Sequence, residues 1–544
     1  MINRNKTRLV GMNMWLKQLM LMFIFAALLS AAFIRQSDFF FTWIAFVPLL
    51  FALEKASLKR SYLLGLFGGL VAYAMAMYWM VDFIVLSKGL TRLESTLLAF
   101  IVWLYCAHQI AAITLIFQWL RRATTVSEFL LFPIIVAAMT VYFPVLFPMK
   151  LAETQSDFLP ALQATQWVGT HGLDALIALV NIIVFYSIHR FIPLAPRGEA
   201  PGKLAWLIAG FIVIVWFSYG HSSYRWWQQE TTAWDKLKVG IVQPNETPTL
   251  GKTIQHVGYS LSFPPEMHMT ERLSELGAKI VVWPEAQPKG YLNHQQVQHA
   301  FAARTQDLAV QLIFQDTSQR RNALTGKIES QYNTAIMIDA TGSELGQYQK
   351  LKRIPFGEYL PWFVGEPASK AAIKRWLGDF LNEIQAGDQF LSFDTESATI
   401  IPLICYETTF PAFVGTAVHK SRLERGQTDR PGGLLLGLSN DGWFGSSIQP
   451  YQHIMSSTLR AVENRLPLVH VTNNGPSIVV SPSGDRLFES DFRRAAGYLV
   501  DVPISNKAQG SFYSQHPALF DRALLALLIL ICGLALVRSA TIQS

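Results

Sequence analysis

Ile401-Pro402-Leu403-Ile404-Cys405-Tyr406-Glu407 reads as a short apolar strand that ends on a thiol, with an aromatic ring and a carboxylate directly behind it. The chain carries three cysteines, and the other two, Cys106 and Cys532, lie inside long apolar runs. Cys405 is therefore the only cysteine of the water-soluble part, which excludes a disulfide within that part. Two readings remain: a small buried core residue, or a free reactive thiol. The partners of Cys405 decide between them.

The 544 residues leave room for more than one folded unit. Hydrophobic residues make up 51% and charged residues 15%, and a mean hydropathy of +0.26 is too apolar for a soluble protein of this size. The apolarity fills residues 14 to 220 and a short stretch near the C-terminus, whereas 221 to 515 has ordinary globular composition. The net charge of +7 invites a nucleic-acid partner. No basic helix or basic run with interleaved aromatics supports one. Within the apolar part the positive residues cluster at segment ends, a membrane signature.

Arg4, Lys6, Arg8 and Lys17 precede an apolar run from Leu19 to Ile34. Ser30-Ala31-Ala32 resembles a signal-peptide cleavage site, but further apolar segments follow almost at once, which favours a retained first span. The next candidates are Phe39–Leu53, Ser61–Leu86, Ser95–Leu120, Phe129–Met149, Trp167–His189 and Leu204–Tyr219, with a last one at Ala523–Val537. Most approach the ~20 residues a helix needs to cross ~30 Å of hydrocarbon. The expectation is an integral membrane bundle of about eight spans. With the N-tail inside, the inner loops hold Lys55, Lys59 and Arg60, then Arg121 and Arg122, then Arg190, Arg197 and Lys203. The outer loops hold Arg35, Lys88, Arg92 and Lys150. That asymmetry and about seven spans before residue 221 put the soluble domain outside the cytoplasm. The expected division is 1–220, a helical bundle; 221–515, the soluble domain; and 516–544, a returning helix.

The soluble domain alternates strand and helix patterns. Lys238–Gln243, Lys279–Trp283, Val310–Gln315, Tyr332–Ile338, Thr399–Ile404, Leu434–Ser439, Leu468–Thr472 and Ser477–Ser481 are short apolar runs. Glu266–Leu276, Gln295–Thr305 and Tyr451–Arg465 have helical periodicity. This alternation predicts an α/β layered domain with buried strands. Pro361 to Gln389 differs, carrying Trp362, Phe363, Trp376, Leu377 and Phe380 among charges. It reads as an amphipathic arm touching the bilayer or as a surface excursion packed on the domain.

An acyl-transferring thiol needs a base for its proton and a donor for the developing oxyanion. His453 sits in a helical pattern and His470 in a strand, without partner motifs, and both read as packing or surface residues. No HxxxH or paired-cysteine spacing suggests a metal. The carboxylates are better placed. Glu285 follows the strand ending in Trp283-Pro284, at the rim where α/β sheets build their sites. Tyr348-Gln349-Lys350-Leu351-Lys352-Arg353-Ile354-Pro355-Phe356-Gly357-Glu358 supplies lysines before a turn and a second carboxylate after it. Each piece alone reads as a solvated surface group; together they give a base, a cation and a nucleophile near strand ends.

Glu285 in WPE, the lysine before PFGE and Cys405 in ICYE resemble the Glu-Lys-Cys triad of the nitrilase (carbon–nitrogen hydrolase) superfamily. PFGEYLP (355–361), Cys405-Tyr406-Glu407, SNDGWFG (439–445), Gln452-His453 and Thr472-Asn473-Asn474-Gly475 are similar to its membrane branch, the apolipoprotein N-acyltransferase family. The resemblance covers nearly the whole chain and implies a nitrilase-like αββα sandwich inserted in the helical bundle. It implies Glu285 as general base, Cys405 as nucleophile and Lys350, by its spacing from Glu358, as the oxyanion-stabilising lysine that also lowers the thiol's pKa. Glu358 would orient Lys350, and backbone N–H groups at Tyr406 and Glu407 would complete an oxyanion hole. The implied reaction takes an acyl chain from a phospholipid as a Cys405 thioester and passes it to the α-amine of a diacylglyceryl-cysteine apolipoprotein. It implies a monomer in the bacterial inner membrane with its catalytic domain periplasmic, and neither cofactor nor nucleic acid.

Four stretches depart from the family's pattern. Gln243-Pro244-Asn245-Glu246-Thr247-Pro248 runs on without the usual Trp, Ala286-Gln287-Pro288 follows WPE, Lys420–Gly433 lengthens the segment after Cys405, and His470-Val471 stands where an arginine is expected before TNN. Two alternatives stay open: a membrane-anchored amidase in which water replaces the amine, and a divergent non-catalytic envelope paralogue.

Overall fold

The computed structural model describes residues 2–191, 201–248, 256–322, 324, 328–378, 381, 383–423, 432–506 and 510–543. Of the residues weighed above, Arg197 and Phe380 lie outside these, as do 249–255, 424–431 and the side chains of Arg4, Lys6, Arg8 and Phe363. Two compact units form, one of residues 1–84, 90–223 and 518–544, the other of 85–89 and 224–517.

The first unit is helical. Among the described residues, six helices are long and apolar enough to cross a membrane: Met14–Ile34, Gln36–Leu53, Arg92–Ala123, Thr165–Phe191, Lys203–Thr232 and Leu519–Ala540. Leu58–Ala76 and Met80–Lys88, bent by 61° at their break, make a seventh if taken as one span. The expected span Phe129–Met149 differs: its helix, Glu128–Tyr142, has 15 residues. Pro144 and Pro148 explain the early stop, because a proline lacks the N–H that the next turn would use and disfavours helix in the residue before it. Helix Leu58–Ala76 packs closely on Arg92–Ala123 through Gly65 and Gly69, whose missing side chains let the backbones approach. A Cβ on Gly65 would lie 2.2 Å from Thr114 Oγ1 and 2.8 Å from the Ala111 Cα. Thr114 uses that closeness to donate to the Ser61 carbonyl at 2.9 Å.

The second unit is an α/β sandwich. Its strands are β1 (Asp235–Gln243), β2 (Ile280–Val282), β3 (Gln311–Arg321), β4 (Ile328–Ile338), β5 (Glu344–Gln349), β6 (Phe393–Asp394), β7 (Thr399–Ile404), β8 (Gly433–Ser439), β9 (Leu468–Thr472), β10 (Ile478–Val480), β11 (Arg486–Glu489) and β12 (Ala496–Ile504). They form two six-stranded sheets, in the orders β12-β1-β2-β3-β4-β5 and β11-β10-β9-β8-β7-β6. The inner strands are apolar on both faces, which is why they read as continuous runs. In β2, Ile280 and Val282 face the second sheet, whereas Val281 faces helices α1 (Pro265–Glu275) and α2 (Gln295–Leu308). In β7, Ile400 and Ile404 face the first sheet, whereas Ile401 and Leu403 face α3 (Pro411–Leu423) and α4 (Gln449–Asn464). Side chains on successive strand residues point to opposite faces, so this composition admits only helix, sheet, sheet, helix in layers. Each fully buried aliphatic side chain contributes about 1.5–3 kcal/mol.

Strands β1, β2 and β3 are parallel, and two antiparallel steps through β4 bring β5 into the same direction. The ends of β2 and β5 therefore share one rim. In the second sheet β7, β8 and β9 are parallel. Pro402 is tolerated inside β7 because β6 pairs only with Thr399 and Ile400, so the missing N–H falls on the open side.

Gly65→Leu, which forces a side chain into the Thr114 backbone neighbourhood, is expected to cost about 2–3 kcal/mol. Thermal melting in detergent checks this, with Leu63→Val, on the same helix but 41% exposed, expected to leave the midpoint within a degree or so of wild type.

Candidate active site

Strand ends carry the three candidate residues expected from the sequence. Glu285 lies three residues beyond β2, Lys350 directly follows β5, and Cys405 directly follows β7. Asn333 of β4 joins the first two. Its carbonyl accepts the Lys350 N–H at 2.8 Å, and its side-chain amide donates to Glu285 Oε1 at 2.6 Å. Lys350 Nζ donates to Glu358 Oε1 at 2.7 Å, and Glu358 Oε2 accepts the Ile354 N–H at 2.7 Å. The Cys405 thiol hydrogen-bonds to the Glu285 carboxylate. Lys350 is 1% exposed. Lys352, by contrast, is exposed and stands over the Phe410 ring at 4.3 Å.

Cys405 has φ +50°, a left-handed conformation that a side chain adopts at a cost of about 1–3 kcal/mol. The sharp turn lifts the thiol out of line with β7, as a nucleophile at a strand-to-helix elbow requires. Glu407 holds the elbow. Its Oε2 accepts the Ile404 N–H and the Tyr348 hydroxyl, both at 2.8 Å. Its Oε1 accepts the N–H groups of Leu351 at 2.7 Å and Lys352 at 2.9 Å. The Glu407 side chain thus ties the turn that carries the thiol to the turn that carries the ammonium. Tyr406 is buried, its ring edge-on to Phe410 at 4.8 Å.

Burial pushes the Cys405 thiol up, and the neighbouring Glu285 adds to that; Lys350 pulls it down but does not prevail. The lysine's lowering of the thiol is real and outweighed, so the resting group is a neutral thiol. Glu285 is also raised, by burial first, with Lys350 and the Asn333 and Cys405 hydrogen bonds opposing. Burial alone would lower Lys350, but Glu358, Glu285 and Cys405 drive it well above the usual lysine range. Lys350 is a fixed cation.

The other motif words build the rim. Asn473 Nδ2 donates to the Glu246 carbonyl at 2.9 Å and to Asn440 Oδ1 at 3.1 Å. Asn474 Nδ2 donates to Asn245 Oδ1 at 2.9 Å. The TNN string thereby clamps the segment after β1. His453 and His470 are both buried, which corrects the surface reading: His453 meets Asp441 at 2.9 Å and His470 meets Ser457 at 2.8 Å. Their partners come from 12 or 13 residues away, beyond any local motif. Among the described residues, no group of three or more His, Cys, Asp and Glu side chains is arranged to hold a metal ion.

Residues 25–183 match the apolipoprotein N-acyltransferase N-terminal domain family, and residues 238–503 match the carbon–nitrogen hydrolase family. The apolipoprotein N-acyltransferase of Geobacter metallireducens is 28% identical over 520 residues, 92% of this chain and 91% of its own. The chain belongs to the apolipoprotein N-acyltransferase family. Members from Bdellovibrio bacteriovorus and Chlorobaculum tepidum are 25% and 22% identical, over 83% and 91% of this chain and 83% and 92% of their own. An amidase from Nesterenkonia sp., known from a crystal structure, aligns with 49% of this chain and 90% of its own at 19% identity and a TM-score of 0.34. In this member of the apolipoprotein N-acyltransferase family, the helical unit covers the first matched domain and the sandwich the second.

Glu407→Ala strands three backbone N–H groups and a tyrosine hydroxyl in the interior, and is expected to cost about 3–5 kcal/mol. Glu407→Gln falls between it and wild type, because the amide cannot accept from Ile404 on its nitrogen side. Thermal melting of the three proteins checks the order.

Proposed function

We propose that this chain is an apolipoprotein N-acyltransferase working by a Cys405 thioester with Glu285 and Lys350. The carrying observation is the convergence of thiol, carboxylate and buried ammonium on one rim of the sandwich, in a chain related to such enzymes across both its parts. Cys405 Sγ attacks the ester carbonyl of a phospholipid while Glu285 takes the thiol proton. The tetrahedral oxyanion forms against Lys350 Nζ and the Tyr406 N–H. Collapse expels the glycerol oxygen, which takes the proton back from Glu285 and leaves as lysophospholipid. The α-amine of a diacylglyceryl-cysteine then attacks the thioester, Glu285 accepts the amine's proton, and the sulfur departs and is reprotonated. Lys350 keeps its proton throughout, so it acts by charge; Glu358 orients it. The charge asymmetry of the loops supports a multi-pass protein of the bacterial inner membrane with this domain on the periplasmic side.

Intact mass measurement after incubation with phospholipid should give a hydroxylamine-sensitive acyl adduct on wild type and none on Cys405→Ala. Absence of the adduct, with turnover of a small amide, would make the chain an amidase. Acylation should also show an acid limb above the ordinary glutamate value of about 4.3, because Glu285 must be ionised to take the proton and its folded value is raised. Asn333→Leu removes a donor that favours the ionised carboxylate, so the limb should move further up, read from acylation rate against pH.

A further inference from the structure

From the Cys405 carbonyl a run of buried polar groups leads through Thr408, His453 and Asp441 to Ser439. Thr408 Oγ1 donates to the Cys405 carbonyl at 3.1 Å and meets His453 Nε2 at 2.9 Å. His453 Nδ1 lies 2.9 Å from Asp441 Oδ1 and 3.2 Å from Oδ2. Ser439 Oγ donates its one proton to Asp441 Oδ1 at 3.1 Å. Thr408 and Ser439 are fully buried, Asp441 is 1% exposed and His453 5%.

Donor bookkeeping fixes the protons. A hydroxyl has one proton, and that of Thr408 is used on the Cys405 carbonyl, so Thr408 accepts from Nε2. An ionised carboxylate only accepts, so Nδ1 also carries a proton. An imidazole protonated on both nitrogens is a cation. We infer that His453 is held as an imidazolium paired with Asp441, and that it is a positioning residue for Cys405, acting through Thr408. Thr408 fixes the carbonyl of the left-handed elbow, and Ser439 holds the Asp441 carboxylate against the imidazolium. The inference rests on reading Cys405 as the nucleophile.

The pair also has an electrostatic task. The Asp441 carboxylate by itself pushes the thiol up, and an adjacent imidazolium cancels it. The titratable groups that His453 touches include Asp441 and His470, and Cys405 is reached from it through Thr408. His470 stands edge-on to His453 at 4.8 Å; burial, with the charge of His453 adding, lowers it to about 3, so it stays neutral beside the cation.

The test follows alkylation of Cys405 by iodoacetamide against pH in the full-length protein, by mass of the peptide that carries it, with Cys405→Ala as the blank. His453→Gln leaves Asp441 uncompensated and should slow alkylation at pH 8 about 10-fold by moving its limb up about one unit. The double variant His453→Gln/Asp441→Asn removes both charges and should return the limb to the wild-type position. Thr408→Val loosens the elbow but keeps the pair, and should slow alkylation with an unmoved limb. His453→Gln with the wild-type rate and limb overturns the inference, as does a double variant whose limb stays with the single one. Should His453→Gln lose its thermal transition, the double variant and Thr408→Val decide: a shifted limb in the first or the wild-type rate in the second is the contrary result. Alkylation needs no lipid, so a chain that alkylates as expected but takes no acyl group from phospholipid fails the proposed function and not this inference.

Discussion

The Glu407 carboxylate sits where the ends of β7 and β5 meet, and the rest of the site hangs from it. A buried carboxylate is costly unless its lone pairs are filled, and this one is filled by donors from both sheets. Ile404 belongs to the strand that carries the thiol; Leu351 and Lys352 belong to the turn that carries the ammonium. One rigid group therefore sets the spacing between thiol and ammonium, which neither sheet can set alone. Strand geometry gives it the opening. On the open side of β7, Ile400 is paired with β6, Pro402 has no N–H, and Ile404 is left for Glu407.

That fixed spacing serves a charge balance. Glu285 and Glu358 flank one buried lysine, and the thiol between them is neutral because burial and Glu285 outweigh Lys350. In the proposed reaction, passing the thiol proton to Glu285 moves a negative charge from carboxylate to sulfur without creating a new one. The charge then passes to the oxyanion, still against Lys350. A thiolate standing ready would need more positive charge than the pocket contains. Proton transfer coupled to attack needs none, and the raised Glu285 is matched to it.

The fold was legible wherever strands are buried on both faces. The eight apolar runs are the inner strands β1 to β4 and β7 to β10. The four strands that the pattern did not reveal, β5, β6, β11 and β12, are the four edges of the two sheets. An edge strand packs on one side only and can carry Glu344, Gln347, Arg486 or Asp501 without penalty, so it lacks the apolar signal. The three candidate residues were legible as a group because each stands at or just beyond the end of a strand, in a distinctive word. Their supports were not. Asn333 lies mid-strand in β4, and three of the four partners of Glu407 are 55 to 59 residues away. His453 depends on Asp441 and Thr408 in other elements, so it reads as a packing residue until the fold brings them together. In the helical unit, hydropathy ran on through Phe143-Pro144 and Phe147-Pro148, where backbone chemistry stops the helix.

Two of the departures from the family's pattern are one local change. The Gln287 N–H lies 3.4 Å from Glu246 Oε2, and Lys289 Nζ lies 4.0 Å from the same oxygen. Glu246 belongs to the segment after β1 that runs on without a tryptophan, and Gln287 to the triplet after WPE. With His256 and Tyr259 they line a single cleft on the sandwich. The first segment is held by Asn473 and Asn474 through the Glu246 backbone and the Asn245 side chain, not through the Glu246 carboxylate. The wall of the cleft can therefore change its chemistry while the clamp beneath it stays the same. The hydrogen bonds that hold Glu285, Lys350 and the Cys405 elbow involve Asn333, Glu358, Ile354 and Ile404, outside this cleft. Altered recognition beside an unaltered reaction centre is what this separation of roles permits.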